Sequence, residues 1–355
     1  MSVERADVVV VGLGPAGACA AAAAARRGSR VVAVDRRREP GRPVQCAEFV
    51  PAMIGIEIDT LAPSVCQRIA AMVTFVGDDP PDVTKPFPGQ MLDRAAFDAA
   101  LVEQAIGAGA QSRFGVSVRA IAADGSVELS DGTVIASRVI VGADGPRSVV
   151  GRTIGRINVS LVETRQITVP LVEPHDATDI FLSPSIPGGY GWLFPKGAVA
   201  NVGAGVEPAC RGRLKTIVEE LHDMLIARGR VGADVLGMTG GAIPVGGMLD
   251  PCGALAGTQV LLAGDAAGLA NPVTGAGIAA AVYSGGLAGE AAAAIAAGDR
   301  GAACDYRDEL RCVLGAALER GVRRRRELAS AANLGPVDGA ALRRGWIAYP
   351  EYWAA

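Results

Sequence analysis

Hydrophobic and polar positions follow different periods in different parts of the chain. Residues 8–11 are four valines in a row and residues 31–35 read Val-Val-Ala-Val-Asp. Such continuous apolar runs suit parallel strands buried on both faces. Between them lie the turn Gly12-Leu13-Gly14-Pro15-Ala16-Gly17 and an alanine-rich stretch over 18–25, so the opening unit reads as strand, turn, helix, strand. Residues 139–141 and 260–263 repeat the buried-strand pattern, and each also runs into a glycine turn. Residues 166–245 differ: proline, glycine and valine dominate, with short alternating runs such as 198–202, which predicts an antiparallel sheet.

The remaining elements follow from the same periodicities. Asp93 caps a helix starting at Arg94, with Phe97, Leu101, Val102 and Ala105 on one face. A second amphipathic helix spans 211–228 with Leu214, Ile217, Val218, Leu221 and Leu225 inward. Residues 114–121 read as one strand, 127–135 as a hairpin through Asp131-Gly132, and 51–83 as irregular chain with one or two strands. The apolar stretch 276–298 is mostly alanine and glycine and contains Glu290, the pattern of a close-packed helix rather than a membrane span. Residues 302–355 look helical. The expected organisation is therefore an α/β domain over 1–160 plus 246–300, an inserted β-sheet substrate domain over 161–245, and a helical C-terminal segment over 301–355.

Composition narrows the function classes. Net charge is -3 with 20% charged residues, so no nucleic-acid partner is expected. Seven scattered cysteines with no CxxC spacing suggest neither a disulfide framework nor a zinc site, and fit a reducing cytoplasm. The first strand starts almost at Met1, leaving no room for a signal peptide. His175 and His222 are the only histidines and lie outside every motif, so neither a histidine base nor a metal site is expected.

Three strand-to-glycine turns are the candidate chemistry. In the first, Gly12, Gly14 and Gly17 allow a tight turn and close approach of a pyrophosphate to the helix start at Pro15 and Ala16, while Asp35 ends the second strand where a carboxylate can accept ribose hydroxyls. The second is Gly142-Ala143-Asp144-Gly145. The third is Gly264-Asp265-Ala266-Ala267-Gly268, followed by Gly275-Ala276-Gly277-Ile278. Asp265 can take a ribityl hydroxyl, and the amides of Gly275 to Ile278 can sit beside a pyrophosphate or a flavin ring. Arg36 is placed for an adenine or a phosphate. Arg94 lies in the first turn of its helix, where the dipole disfavours a cation, which suggests that a ligand holds it. Cys46 and Glu48 share a loop at the ligand-facing edge of the sheet. Tyr190, Trp192 and Phe194 alternate and so share one strand face. In a chain only 4% aromatic, that concentration favours a wall against an apolar ligand.

These motifs together resemble the FAD-binding fold of aromatic hydroxylases, halogenases and geranylgeranyl reductases. Pro187-Gly-Gly-Tyr190-Gly-Trp192-Leu-Phe194-Pro195 is similar to the PxxYxWxFP motif of the geranylgeranyl reductases. Pro43-Val-Gln-Cys46-Ala47-Glu48 resembles their cysteine-containing flavin loop, and 271–278 resembles their third fingerprint. Ala47 and Phe49 stand where glycines are commoner in the family. The resemblance implies an FAD-binding Rossmann-like domain contacting FAD through Pro15, Ala16, Asp35, Arg36, Cys46, Ala47, Arg94, Val118, Asp144, Asp265, Gly277 and Ile278. The roles of Val118, Cys46 and Ala47 rest on the resemblance alone. Glu48, Tyr190, Trp192 and Phe194 would face substrate.

The function expected is reduction of carbon–carbon double bonds in a prenyl or comparably apolar substrate by hydride from reduced flavin, with the proton coming from Cys46, Tyr190, a bound water or the flavin itself. A flavin monooxygenase shares the FAD domain and stands as the alternative, as does a noncatalytic flavin-bound scaffold. Gly268 weighs against oxygenation, because many hydroxylases carry histidine there. No further dinucleotide fingerprint is visible, so NADPH would bind transiently or a ferredoxin-like carrier would supply electrons. Arginines beside the tyrosine and tryptophan tail suit either peripheral membrane contact or a cap on the substrate domain.

Overall fold

A computed structural model of the chain describes residues 3–52, 63–335 and 337–354. Six strands form the main sheet in the order Cys252–Leu255, Thr258–Leu262, Val139–Gly142, Val8–Val11, Val31–Asp35 and Gln111–Phe114. All neighbours are parallel except the first pair. The three strands that run into glycine turns thus lie side by side, and their carboxyl ends open on one edge. The helix Pro15–Arg26 covers this sheet with an almost pure alanine face.

The apolar helix Ile278–Ala296 packs directly on that alanine helix. Any Cβ at Gly285 would collide with the Ala16 backbone, and one at Gly289 with the Ala20 carbonyl. Glycine is needed here for backbone-to-backbone approach. It is the one described helix long and apolar enough to cross a membrane, and 61% of its apolar window is buried inside the molecule. Replacing Gly285 by valine is expected to cost on the order of 3 kcal/mol, read as a lower thermal midpoint of the FAD-free chain. An unchanged midpoint would mean that the two helices separate freely.

A seven-stranded sheet lies beside the first, in the order Gly237–Pro244, Leu161–Pro170, Val199–Val206, Gly191–Lys196, Ala177–Leu182, Ala71–Val76 and Asp82–Thr84. The 161–245 segment supplies five strands, and 71–84 supplies two. One pairing, Ala71–Val76 with Ala177–Leu182, is parallel. Helix Leu214–Ala227 packs Leu214, Ile217, Val218, Leu221 and Leu225 onto one face of this sheet, around Leu193, Ala200 and Val202. The opposite face, with Gln166, Trp192, Phe194, Asn201 and Thr239, looks toward the first domain's loops.

Three local expectations need correction. The 114–121 run is two strands, because Gly115 turns left-handed (φ 74°) between Gln111–Phe114 of the main sheet and Val118–Ile121, which joins a separate four-stranded sheet with Val127–Leu129, Val134–Ala136 and Val3–Arg5. The helix expected from 211 begins at Leu214, after a 3-10 turn over Pro208–Arg213. Residues 63–84 hold three strands rather than one or two, Val65–Ile69, Ala71–Val76 and Asp82–Thr84, and the rest of the expected irregular segment, 53–62, lies outside the described residues. The hairpin Val127–Leu129 with Val134–Ala136 is present. After Ala302–Leu310 the C-terminal helix carries a π-turn at Arg311–Gly315 before Ala316–Leu334, then short helices Gly339–Arg344 and Pro350–Trp353.

Candidate active site

The first turn is shaped by its neighbours. Any Cβ at Gly12 would collide with Ala143, and one at Gly17 with the Gly12 carbonyl, whereas Gly14 faces open space. Pro15 starts the helix with no side-chain cap and no acidic residue in the first turn, so neither competes for the free amides at its start. Asp35 is buried; its carboxylate accepts from the amides of Leu13 and Arg37, both at 2.7 Å. It therefore holds the turn's shape at the strand end. Arg36 beside it is exposed. Val118 starts its strand two residues after Val116, whose amide donates to the Asp35 carbonyl at 3.0 Å.

In the second turn Asp144 is engaged locally. Its carboxylate accepts from the Ser148 hydroxyl and from the amides of Val149 (2.6 Å) and Val150 (3.3 Å), so it caps the short helix Val149–Thr153. Burial pushes its pKa up against those bonds. Asn158 ties the second turn to the third, its amide donating to the Pro146 and Asp265 carbonyls at 3.1 and 2.9 Å.

The third turn differs in one respect. Asp265 has no hydrogen-bonding partner for its carboxylate among the described residues. Burial pushes its pKa up to about 6, against the pull of Arg94. Gly277 closes over it: a Cβ there would come to 3.3 Å from the Asp265 carboxylate. Gly275 turns left-handed (φ 70°) and Ile278 opens the helix behind. Gly268, also left-handed, has its absent Cβ aimed into the Gly247 carbonyl, so a larger residue does not fit there.

The loop carrying Cys46 is fastened to the second sheet's inner face by four side chains. Thr239 donates to the Val44 carbonyl, Gln166 to the Cys46 carbonyl (3.2 Å) and Asn201 to the Ala47 carbonyl (3.2 Å). Lys196 forms a two-oxygen ion pair with Glu48, 2.8 Å to each. Glu48 also accepts from Asn201 (3.0 Å) and from the Arg94 amide (3.1 Å), so the Glu48 carboxylate ties loop, sheet and helix together. Glu48 is buried, with φ 68°, in a backbone region that L-residues rarely adopt. The arrangement explains Arg94 as well. Its guanidinium bonds Asp98 at 3.1 and 3.2 Å and lies against the Cys46 thiol; burial pulls its pKa down, but Cys46 and Asp98 more than offset this.

Tyr190, Trp192 and Phe194 form a continuous aromatic face. Trp192 and Phe194 lie 6.1 Å apart, Tyr190 and Trp192 5.7 Å apart, and Phe49 continues the row 5.5 Å from Phe194. Trp192 and Phe194 are each 5% exposed. The Trp192 indole N–H donates to Gln166 at 3.1 Å, so this ring and the Cys46 carbonyl share one amide side chain. The Tyr190 hydroxyl donates to the Thr274 carbonyl at 2.6 Å. Burial pushes its pKa up, and the nearby Cys46 adds to the shift. The terminal segment completes the face: Trp346 lies 4.8 Å from Tyr190, and its buried indole N–H has no partner among the described residues. Tyr352 is also buried, held where Arg324 donates to its carbonyl at 3.0 Å, while Trp353 is 56% exposed.

Several of these groups carry no sequence motif. Gln166, Lys196, Asn201, Thr239 and Asn158 were not expected at the site, whereas Trp346 belongs to the tail for which a cap on the substrate domain was one expectation. The first four share one signal, a polar residue in an otherwise mostly apolar strand; Asn158 lies in a loop and carries none.

Known proteins match this arrangement along most of the chain. A family model for the geranylgeranyl reductase catalytic domain matches residues 160–243, and one for FAD-dependent oxidoreductases matches 7–141. Digeranylgeranylglycerophospholipid reductase 2 of Methanopyrus kandleri is 36% identical over 309 residues, covering 81% of this chain and 76% of that protein. The chain belongs to the geranylgeranyl reductase family. A digeranylgeranylglycerophospholipid reductase of Methanosarcina mazei is 34% identical over 83% of this reductase and 77% of the relative. In fold, the reductase resembles a geranylgeranyl bacteriochlorophyll reductase-like protein of Thermoplasma acidophilum, with a TM-score of 0.83 at 24% identity over 96% and 90% of the two chains. A probable FAD-dependent monooxygenase of Pseudomonas aeruginosa shares the fold at a TM-score of 0.70 and 20% identity, over 96% and 98%. This protein is thus an FAD-dependent oxidoreductase, and its open first turn and unpartnered Asp265 fit that cofactor.

Proposed function

We propose that this reductase saturates isolated double bonds in the prenyl chains of a glycerolipid or a similar apolar isoprenoid. The observation that carries the reading is the clamp that holds the Cys46 loop against the aromatic face of Trp192 and Phe194. Reduced FAD supplies the hydride when bound. The chain's own residues bind, orient and protonate. Gly12, Gly14, Gly17, Pro15 and Ala16 would hold the pyrophosphate, and Asp35, Arg36 and Val118 the adenosine. Asp265, Gly275, Gly277 and Ile278 would hold the ribityl chain and the ring. Asp144 and Arg94 act through the turn and the loop they brace, and so does Glu48.

The aromatic face gives a prenyl chain an apolar surface that excludes water. The Tyr190 proton is already committed to the Thr274 carbonyl, so Cys46 is the better proton donor of the two. After its thiol proton passes to the substrate carbon, the sulfur keeps the charge, and the Arg94 guanidinium and the Glu48 amide, 3.2 Å away, stabilise it. Electrons come from NADPH bound transiently or from a ferredoxin-like carrier, a reading supported by the absence of a further dinucleotide fingerprint from the sequence. The seven free thiols support a reducing cytoplasm. The division into an FAD domain, an inserted substrate domain and a helical terminal segment stands on the two sheets, with 71–84 assigned to the second.

The test is anaerobic. The reduced protein is mixed with a geranylgeranyl lipid, and the return of oxidised flavin absorbance is followed with product mass rising by hydrogen pairs. Silence there, followed by substrate-stimulated oxygen insertion in air, would replace the reading with a monooxygenase. In the same assay, with FAD saturating, Trp192→Phe is expected to turn over about tenfold more slowly, because releasing Gln166 loosens the Cys46 carbonyl. An unchanged rate would return the indole N–H to simple packing.

A further inference from the structure

The basic run at 323–326 divides into two faces of one helix. Arg324 is buried against the terminal turn, and Arg325 donates to the carbonyls of Pro272 and Gly188, beside the third fingerprint and the aromatic motif. Arg323 and Arg326 point the other way, into a groove of about 960 Å³ between this helix and the loop 246–250. Arg311 and Arg344 stand on the same groove, and the π-turn at Arg311–Gly315 forms part of its wall. Such turns recur at functional sites.

Charge and polarity of the lining are unbalanced. Among the described residues, none of these four arginines has an ion pair or hydrogen-bonding partner for its side chain. Of the acidic residues in the lining, Glu327 is taken by Arg324 at 2.8 Å and Asp250 by Arg156 at 3.1 Å, which leaves Glu319. Four guanidinium groups therefore face one uncommitted carboxylate. Leu318, Val322 and Met248 provide an apolar wall beside them. The groove also abuts the cofactor turn: the Leu249 amide donates to the Ala267 carbonyl at 2.9 Å, and a Cβ at Gly247 would meet Val322 at 2.9 Å.

We propose that this groove binds the phosphate-bearing head of an anionic lipid. Arg323 and Arg326 meet the phosphate oxygens, and the apolar wall takes the first part of the hydrocarbon. Guanidinium forks suit phosphate oxygens, and the apolar wall gives a lipid an advantage over a free anion. The inference rests on the prenyl-lipid reading in naming the lipid, but the binding itself is measured without turnover.

The experiment uses the FAD-loaded full chain and monomeric dihexanoyl phosphatidylglycerol, with dihexanoyl phosphatidylcholine and inorganic phosphate as comparisons, in a calorimeter. The anionic lipid is expected to bind about tenfold tighter than either comparison, and R323Q/R326Q is expected to lose about that factor. R211Q/R213Q removes the same charge from the exposed turn ahead of Leu214 and should bind as the wild type does. Raising salt should weaken the wild type toward the groove variant. Unchanged binding by R323Q/R326Q, or an equal loss in R211Q/R213Q, would overturn the proposal. Inorganic phosphate binding as tightly as the lipid would make the groove a free-anion site, and phosphatidylcholine binding equally would remove the role of charge; both overturn it too. Failure to reduce any prenyl chain, including uncharged geranylgeraniol, would sink the catalytic reading while leaving the groove measurement standing.

Discussion

Replacing Lys196 by methionine is expected to destabilise the FAD-free protein by on the order of 3 kcal/mol and to weaken FAD binding at the same time. Lys196 and Glu48 are mostly buried, with 19% and 8% of their side-chain surfaces exposed, so the lost partner leaves a carboxylate that water cannot replace well. Removing one member of a buried pair costs more than the pair contributes, because the survivor keeps its desolvation penalty. The effect should reach the cofactor because Glu48 sits two residues after Cys46 and also accepts from the Arg94 amide. A Glu48 no longer held by Lys196 moves the Cys46–Ala47 backbone, which is the edge expected against the flavin. Urea unfolding of the FAD-free chain and fluorescence titration with FAD measure the two losses separately. The double variant K196M/E48Q removes the stranded charge and should recover part of the stability lost in K196M. Equal stability for K196M and wild type would show the pair to be a surface contact, and lost stability with normal FAD affinity would separate the clamp from the cofactor.

The parts of this site that lie on strand ends were legible in the sequence, while the parts that lie on sheet faces were not. Gly12, Gly142 and Gly264 were found because a buried apolar run ending in glycine has few structural solutions, and the parallel sheet sets the three side by side. The roles within those turns were less legible. Asp35, Asp144 and Asp265 look equivalent as carboxylates after strands, but Asp35 and Asp144 spend their oxygens on nearby amides or a hydroxyl, and only Asp265 keeps its own free. Local hydrogen bonding decides this, and no periodicity reports it. Gln166, Asn201 and Thr239 were invisible for a related reason. A polar side chain alternating with valine normally faces solvent in an antiparallel sheet, whereas here that face is covered by the Cys46 loop. The tail was ambiguous because tryptophan and tyrosine suit both an interface and a core; Trp346 and Tyr352 went inward where Tyr190 and Arg324 receive them.

Asp265 should make FAD binding depend on pH, and Asp265→Asn should abolish that dependence. Its pKa stands at about 6 in the FAD-free chain because burial disfavours the carboxylate. The value is above that of an unfolded aspartate, so the stability from holding the proton is present at low pH and is lost as pH rises through about 6. Above that pH the FAD-free chain carries an unpaired charge in the cleft. A ribityl hydroxyl donating to the carboxylate stabilises the ionised form, so binding lowers the pKa and releases a proton below pH 6. Affinity should therefore rise between pH 5 and pH 7, by about tenfold if the bound-state pKa falls to the ordinary aspartate range, and flatten above. Asp98 and Asp144, whose pKa values are also pushed up by burial, are already held by Arg94 and by Ser148 with two amides, so FAD has little to add at either. Fluorescence quenching of FAD across that range gives the slope. In Asp265→Asn the amide can still meet a hydroxyl but cannot ionise, and affinity should be weaker than wild type at pH 7 and level with pH. A wild-type affinity that instead falls as pH rises would mean that Asp265 faces the anionic pyrophosphate rather than a hydroxyl, and would reverse its assigned position along the cofactor.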